Sequence, residues 1–284
     1  MPDVLVMAAL DPKCLGAKVI LDLHDPMPEL MMTIFKLRRG SPAVWVMALL
    51  ERWSIAIADV VLTVNRACEK LFVCRSCSAS KLCVVMNSPD ERIFKTVPPQ
   101  IRQAQPREKK DPFVIMYHGT LVGRNGVDLA VEALVKVRQS VPESELRIYG
   151  PRTELLDEVL LMAAEKGIEK AVLYLGPRPL EQLVEAIAEC DVGVIPNKRS
   201  IFTELNTPTR IFEYVALGKP VVAPRAAGIQ DYFSEDSLVF FDLGNADDLA
   251  RKLTWVANHP REAFEISTRG QAVYLAHSWS NEKE

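Results

Sequence analysis

The chain has 284 residues, 49% hydrophobic and 25% charged, a globular balance with length for about two domains. Its net charge of −3 argues against a nucleic-acid binder, which carries a basic surface. The N-terminus lacks the order of a signal peptide, and Glu51, Arg52 and Asp59 break the longest apolar region, so a cytoplasmic protein is expected.

In chain order, short apolar runs predict strands over 4–7, 18–23, 60–64 and 82–86, with a helix over 43–58. Four of the six cysteines, Cys68, Cys74, Cys77 and Cys83, fall close together here, and the Cys74-x-x-Cys77 pair raises the question of zinc. Cys68 lies in a helical pattern, Cys83 in a strand pattern, and no histidine is near. Reduced, packed thiols and no metal are therefore expected. Residues 1–95 read as an incomplete Rossmann-like unit, since four strands are few for a doubly wound domain. The polar, proline-containing stretch 96–111 reads as a linker.

From 112 to 260 the pattern becomes regular. Strands are predicted over 113–117, 146–149, 172–175, 192–195, 221–223 and 238–241, with helices near 127–140, 153–166, 179–189 and 208–217. Gly119, Gly150 and Gly176 each follow a strand directly. This is the signature of a parallel sheet with crossover helices. The loops after Tyr117, Tyr149, Leu175 and Ile195 should then converge on one crevice. Residues 261–284 read as a tail.

The stretch 206–223 is the most informative. Thr207 is suited to cap a helix, Pro208 to occupy its first position, and Gly218 to end it in the left-handed region. Free N–H groups at such a helix start form an anion site, to which Arg210 adds a fixed charge. Glu213 follows on the same face. Two readings stand at this point. One is a phosphate on the helix tip with a sugar hydroxyl pair beside Glu213. The other is an ordinary surface ion pair between Arg210 and Glu213.

Taken together, five pieces resemble the C-terminal, nucleotide-sugar-binding domain of glycosyltransferase family four. They lie at 118–121, 149–150, 175–176, 190–197 and 208–220. The pieces at 22–29, 58–65 and 84–90 fit the back half of that family's N-terminal domain. The resemblance implies an α/β chain of GT-B architecture. One complete doubly wound Rossmann-type domain would follow an incomplete Rossmann-like one. It further implies a nucleoside-diphosphate sugar as donor substrate, no cofactor or metal, and transfer with retention to a glycan or lipid-linked acceptor.

Residue by residue, the resemblance gives Glu213 the ribose. Arg210 and the N–H groups of Thr207 to Thr209 take the diphosphate. The family's earlier glutamate falls at Leu205, so the neighbouring Glu204 is the candidate at the donor sugar. Gly119 opens the first turn. Thr120 and Asn125 stand at the family's basic positions, which makes Arg124 the substitute cation. Gly176 and Arg178 lie where relatives contact the base, and His24 where they place a cleft-facing histidine; His118 is expected to brace a turn. His24 and Glu204 are thus the catalytic candidates. Lys36, Arg38 and Arg39 form a basic patch of the kind that meets anionic membrane at the periphery. The family's opening strand and glycine-rich turn have no counterpart here, so a truncated chain is expected. A binding-only remnant that needs a partner chain is the alternative reading, and a sugar-nucleotide epimerase a third.

Overall fold

The computed structural model describes residues 3–97 and 112–283, and two parallel sheets carry the fold. The first has three strands in the order β1 (Ile20–Leu23), β2 (Val60–Thr63), β3 (Leu82–Val84). The strand predicted over 4–7 is not one. Asp3–Ala9 winds as a 3-10 helix that runs into α1 (Leu10–Cys14). Short apolar runs do not separate strand from helix by periodicity. Here Val6 and Ala9, three residues apart, pack on the first core, which is the spacing of a 3-10 turn.

Three longer helices cover this sheet: α2 (Met27–Phe35), α3 (Pro42–Ile57) and α4 (Arg66–Arg75). Their starts follow from local chemistry. Ser41 accepts from the Val44 N–H with proline at the first helical position, and Asn65 accepts from the Cys68 N–H at 2.8 Å. Leu21, Leu23, Ile55, Val61 and Phe72 fill the core between layers. Cys68 and Cys77 are buried, whereas Cys74 and Cys83 are exposed.

The second sheet has six parallel strands in the order β6-β5-β4-β7-β8-β9. The chain runs outward through β4 (Phe113–His118), α5 (Val127–Ser140), β5 (Ser144–Tyr149), α6 (Glu154–Glu165) and β6 (Val172–Tyr174). It then crosses back through α7 (Leu180–Glu189) to β7 (Val192–Val194), beside β4. Next come the short α8 (Ile201–Leu205), α9 (Thr209–Ala216), β8 (Val221–Pro224), α10 (Ala227–Gln230) and β9 (Val239–Phe241). The strand order reverses between β4 and β7, and ligands of open α/β sheets bind at such a switch point. Period-two alternation divides β4 between two cores. Phe113, Ile115 and Tyr117 face α5, while Val114 and Met116 face α7 and α9.

The chain closes through α11 (Ala246–Asn258), α12 (Pro260–Ala276) and α13 (Trp279–Glu282). Most of 261–284, expected as a tail, is therefore helix. Ala263, Ser267, Gly270, Gln271 and Tyr274 make one buried stripe at helical spacing. The Gln271 amide donates to the carbonyls of Val215 and Ala216 at the end of α9. From α13, the Glu282 carboxylate accepts from the Met86 N–H at 2.9 Å, which ties the C-terminus to the first sheet unit. Of the expected linker, residues 98–111 lie outside the described residues.

Candidate donor site

The site builds from α9 outward. Its end is a Schellman motif. Gly218 takes φ 69°, its N–H donates to the Val215 carbonyl, and the Lys219 N–H donates to the Tyr214 carbonyl. Its start differs from the expectation. The helix begins at Thr209 with Pro208 at the cap, and no side chain caps it. The Thr207 hydroxyl instead donates to the Gly228 carbonyl at 2.7 Å, a backbone acceptor that local sequence does not reveal. No side chain therefore caps the first turn of α9, where the Ile211 N–H donates to the Pro208 carbonyl at 3.0 Å.

Arg210 is fixed by the end of β4. Its Nη1 donates to the His118 carbonyl at 2.7 Å, and its guanidinium lies 4.8 Å from the Tyr117 ring centroid. Gly119 admits this arrangement. At φ 121°, a Cβ there would stand 3.1 Å from Arg210 Nη1. Among the described residues Glu213 forms no ion pair with Arg210, so the surface-pair reading does not hold. Glu213 is largely shielded, its side chain 15% exposed, and its Oε2 lies 3.2 Å from the Nε2 of buried His118. Burial pushes the Glu213 carboxyl up to about 7, with Arg210 pulling the other way. Burial also pushes the His118 imidazole down to about 3, and the Arg210 charge adds to that.

Three glycine turns stack beside this cluster. The Gly119 N–H donates to the Tyr149 carbonyl at 3.0 Å, and the Gly150 N–H to the Gly176 carbonyl at 3.2 Å. A Cβ at Gly150 would collide with the Gly119 carbonyl, so the loops close up only because no side chain is there. Thr120 is exposed, and its carbonyl accepts from the Tyr117 hydroxyl and the Asn125 amide, which sets the turn. Arg124 is half-buried with its guanidinium over the Phe202 ring at 5.7 Å. Arg178 is exposed at the loop after β6.

Glu204 is half-exposed at the end of α8 and pairs with Arg199 at 3.0 Å. Leu205, where the family's earlier glutamate would fall, packs against the first core and its carbonyl accepts from the Asn65 amide at 3.0 Å. That position is thus occupied by a contact between the two sheet units. His24 lies elsewhere. It is exposed, bonded to Asp22 at 2.9 Å, and lines a groove of about 550 Å³ beside β1 with Asp25 and Leu5. None of the α9 cluster lines that groove. The His118 imidazole is the residue that sequence reading missed at the cluster. The signal was its place after Val114 and Met116 in the strand alternation, which aims it at α9.

Against known proteins, residues 99–273 match the family of glycosyl transferases group 1. Sulfoquinovosyl transferase SQD2 of Arabidopsis thaliana is 27% identical over 279 residues, covering 93% of this chain and 50% of its own length. A GDP-mannose-dependent alpha-(1-6)-phosphatidylinositol monomannoside mannosyltransferase of Mycolicibacterium smegmatis is 30% identical over 178 residues, 60% of this chain and 45% of its own. The chain spans about half the length of these curated relatives. Among solved structures, Anabaena HepE in complex with UDP superposes at TM-score 0.78 and 19% identity, covering 100% of this chain and 75% of that one. WaaG, a glycosyltransferase of lipopolysaccharide biosynthesis, does so at 0.71 and 14%, covering 93% and 72%. These likenesses establish a GT-B fold, and the match across 99–273 means that the chain belongs to the group 1 glycosyltransferases.

Proposed function

We propose that this chain binds a nucleoside-diphosphate sugar and transfers its sugar, with retention and without a bound metal, to a glycan or lipid-linked acceptor. One observation carries the reading. A largely shielded carboxylate, Glu213, stands one turn along from Arg210 on a helix whose first-turn N–H groups have no side-chain cap, beside the switch point of a parallel sheet.

In this reading the α9 tip and Arg210 hold the diphosphate, and Arg124 adds a second cation. Charge that develops on the leaving diphosphate is thus met by donors already in place. Glu213 accepts from the two ribose hydroxyls. The Gly119–Thr120 turn borders the phosphates, and Gly176 and Arg178 border the base. His24 and Glu204 are assigned to sugar hydroxyls of acceptor and donor. The acceptor hydroxyl attacks from the face that the diphosphate leaves. The test is a transfer assay with a panel of nucleotide sugars and a membrane extract, with and without EDTA, the product's anomeric configuration being read by NMR. A retained glycoside formed equally well in EDTA is expected. Donor binding without any glycoside would reject the transferase reading, and an epimerised nucleotide sugar would replace it.

The acceptor side adds a peripheral membrane contact. The outward arc of α3 is apolar, with Trp45, Val46 and Trp53 exposed, and Ile34 and Phe35 are exposed at the end of α2. Lys36, Arg38, Arg39 and Arg52 are exposed around it. The single acid between 30 and 57, Glu51, is buried against Arg75. Aromatic side chains ringed by basic ones suit the interface of an anionic bilayer.

A further inference from the structure

His118 does two things at the end of β4. Its carbonyl takes the Arg210 guanidinium, and its imidazole turns to the α9 face. The ring is 4% exposed and tilts against Tyr214, with centroids 4.9 Å apart. The Tyr214 hydroxyl is in turn anchored on the Met116 carbonyl at 2.8 Å, so the ring rests on a fixed wall. Its Nε2 is buried and makes no hydrogen bond of good geometry, although Glu213 Oε2 is 3.2 Å away. A buried N–H left unmade costs about 1–3 kcal/mol, so the Glu213 carboxylate is its natural partner. Catalytic and binding hydrogen bonds are often misaligned without ligand and tighten on binding.

We propose that His118 is the positioning residue of the donor site: its Nε2–H aims the Glu213 carboxylate at the ribose hydroxyls. This rests on the donor reading above. A carboxylate has more lone pairs than two ribose hydroxyls use, so it can accept from His118 and from the sugar together. Burial keeps the imidazole neutral, with a single N–H to give, and among the described residues Arg210 is the cation that acts on the Glu213 carboxylate. Every side chain at 118 leaves the carbonyl that fixes Arg210, so the phosphate contact should survive substitution.

The experiment compares wild type, His118→Leu and His118→Gln by calorimetry. The probes are UDP, GDP and ADP and the 2′,3′-dideoxy form of whichever binds best. His118→Leu removes the N–H, and His118→Gln returns one near the Nε2 position. His118→Leu is expected to weaken the ribonucleotide by ~10-fold or more, the range of one hydrogen bond to a charged group, and to leave the dideoxy form within ~3-fold. His118→Gln should restore most of the loss. Equal loss on both forms would mean a merely structural role and overturn the proposal, as would an unchanged ribonucleotide affinity. If wild type discriminates the two forms while His118→Leu changes neither, the donor reading stands and only this inference falls. If wild type binds none of the nucleotides, both fall. Wild-type imidazole nitrogen spectra need no variant to fold. His118 is the one buried histidine of the four, and its proton is expected on Nε2. A proton on Nδ1 instead would overturn the proposal.

Discussion

Glu213 carries a conflict between stability and binding. Its folded-state pKa of about 7 is above the ordinary 4.5, because burial penalises the charge more than Arg210 repays. A raised carboxyl pKa favours folding only while the group is protonated. The native state therefore loses stability as pH rises from about 4.5 to about 7, by roughly 3 kcal/mol in total. Among the described residues Arg210 and Tyr214 on α9, and His118 on β4, are charged or titratable groups that act on it. Glu213→Gln should therefore melt higher than wild type at pH 8 and alike at pH 4.5, by scanning calorimetry. A lower melting temperature at pH 8 would mean that the carboxylate is stabilising. Nucleotide affinity should move the other way and rise with pH through about 7, as the acceptor carboxylate forms. At this scale the sequence revealed Arg210 and Glu213 through their spacing. It did not reveal the Thr207–Gly228 or His118–Glu213 contacts, which join residues far apart in the chain.

Among elements, a clamp joins three helices of the first unit. Arg75 at the end of α4 bonds Glu29 of α2 at 2.7 Å and Glu51 of α3 at 2.5 Å, and Ser76 adds a bond to Glu51 at 2.8 Å. Both glutamates are buried, and their carboxylates hold the Arg75 pKa above its usual value despite burial. Truncating one partner of such a set strands buried charge. Arg75→Ala should lower stability by about 3–5 kcal/mol in urea unfolding, whereas exposed Arg92→Ala should cost little. A loss under about 1 kcal/mol would show that water reaches the glutamates. None of this network was legible, because α2 was not predicted. Its apolar run offered neither a strand alternation nor a side-chain cap, and Pro28 enters only in the first turn. α9, by contrast, was readable to within a residue, because glycine and proline mark its end by backbone geometry alone.

For the whole molecule, the six-stranded sheet was legible because its strands are short apolar runs, three of them followed closely by glycine, separated by helical periods. The opening segment and the closing helices were not. Their faces are defined by what they pack on, namely the first core and the end of α9. The apolar arc of α3 bears on the chain as a unit, since its exposed charges are basic while the chain is net −3. Flotation with vesicles should show binding to phosphatidylglycerol mixtures, weakened by salt, and none to phosphatidylcholine alone. Trp45→Ala with Trp53→Ala should abolish it without changing nucleotide affinity. Binding that survives both changes would place the membrane contact elsewhere.

In the proposed function α9 holds a nucleoside diphosphate through Arg210 and Glu213. Calorimetry of wild type and Glu213→Ala with UDP, GDP and ADP at pH 8 tests it most directly. Glu213→Ala should weaken the best binder by about 1.5–3 kcal/mol, the range for hydrogen bonds to a charged group. Equal affinity of the two proteins for every nucleotide would remove Glu213 from the nucleotide site.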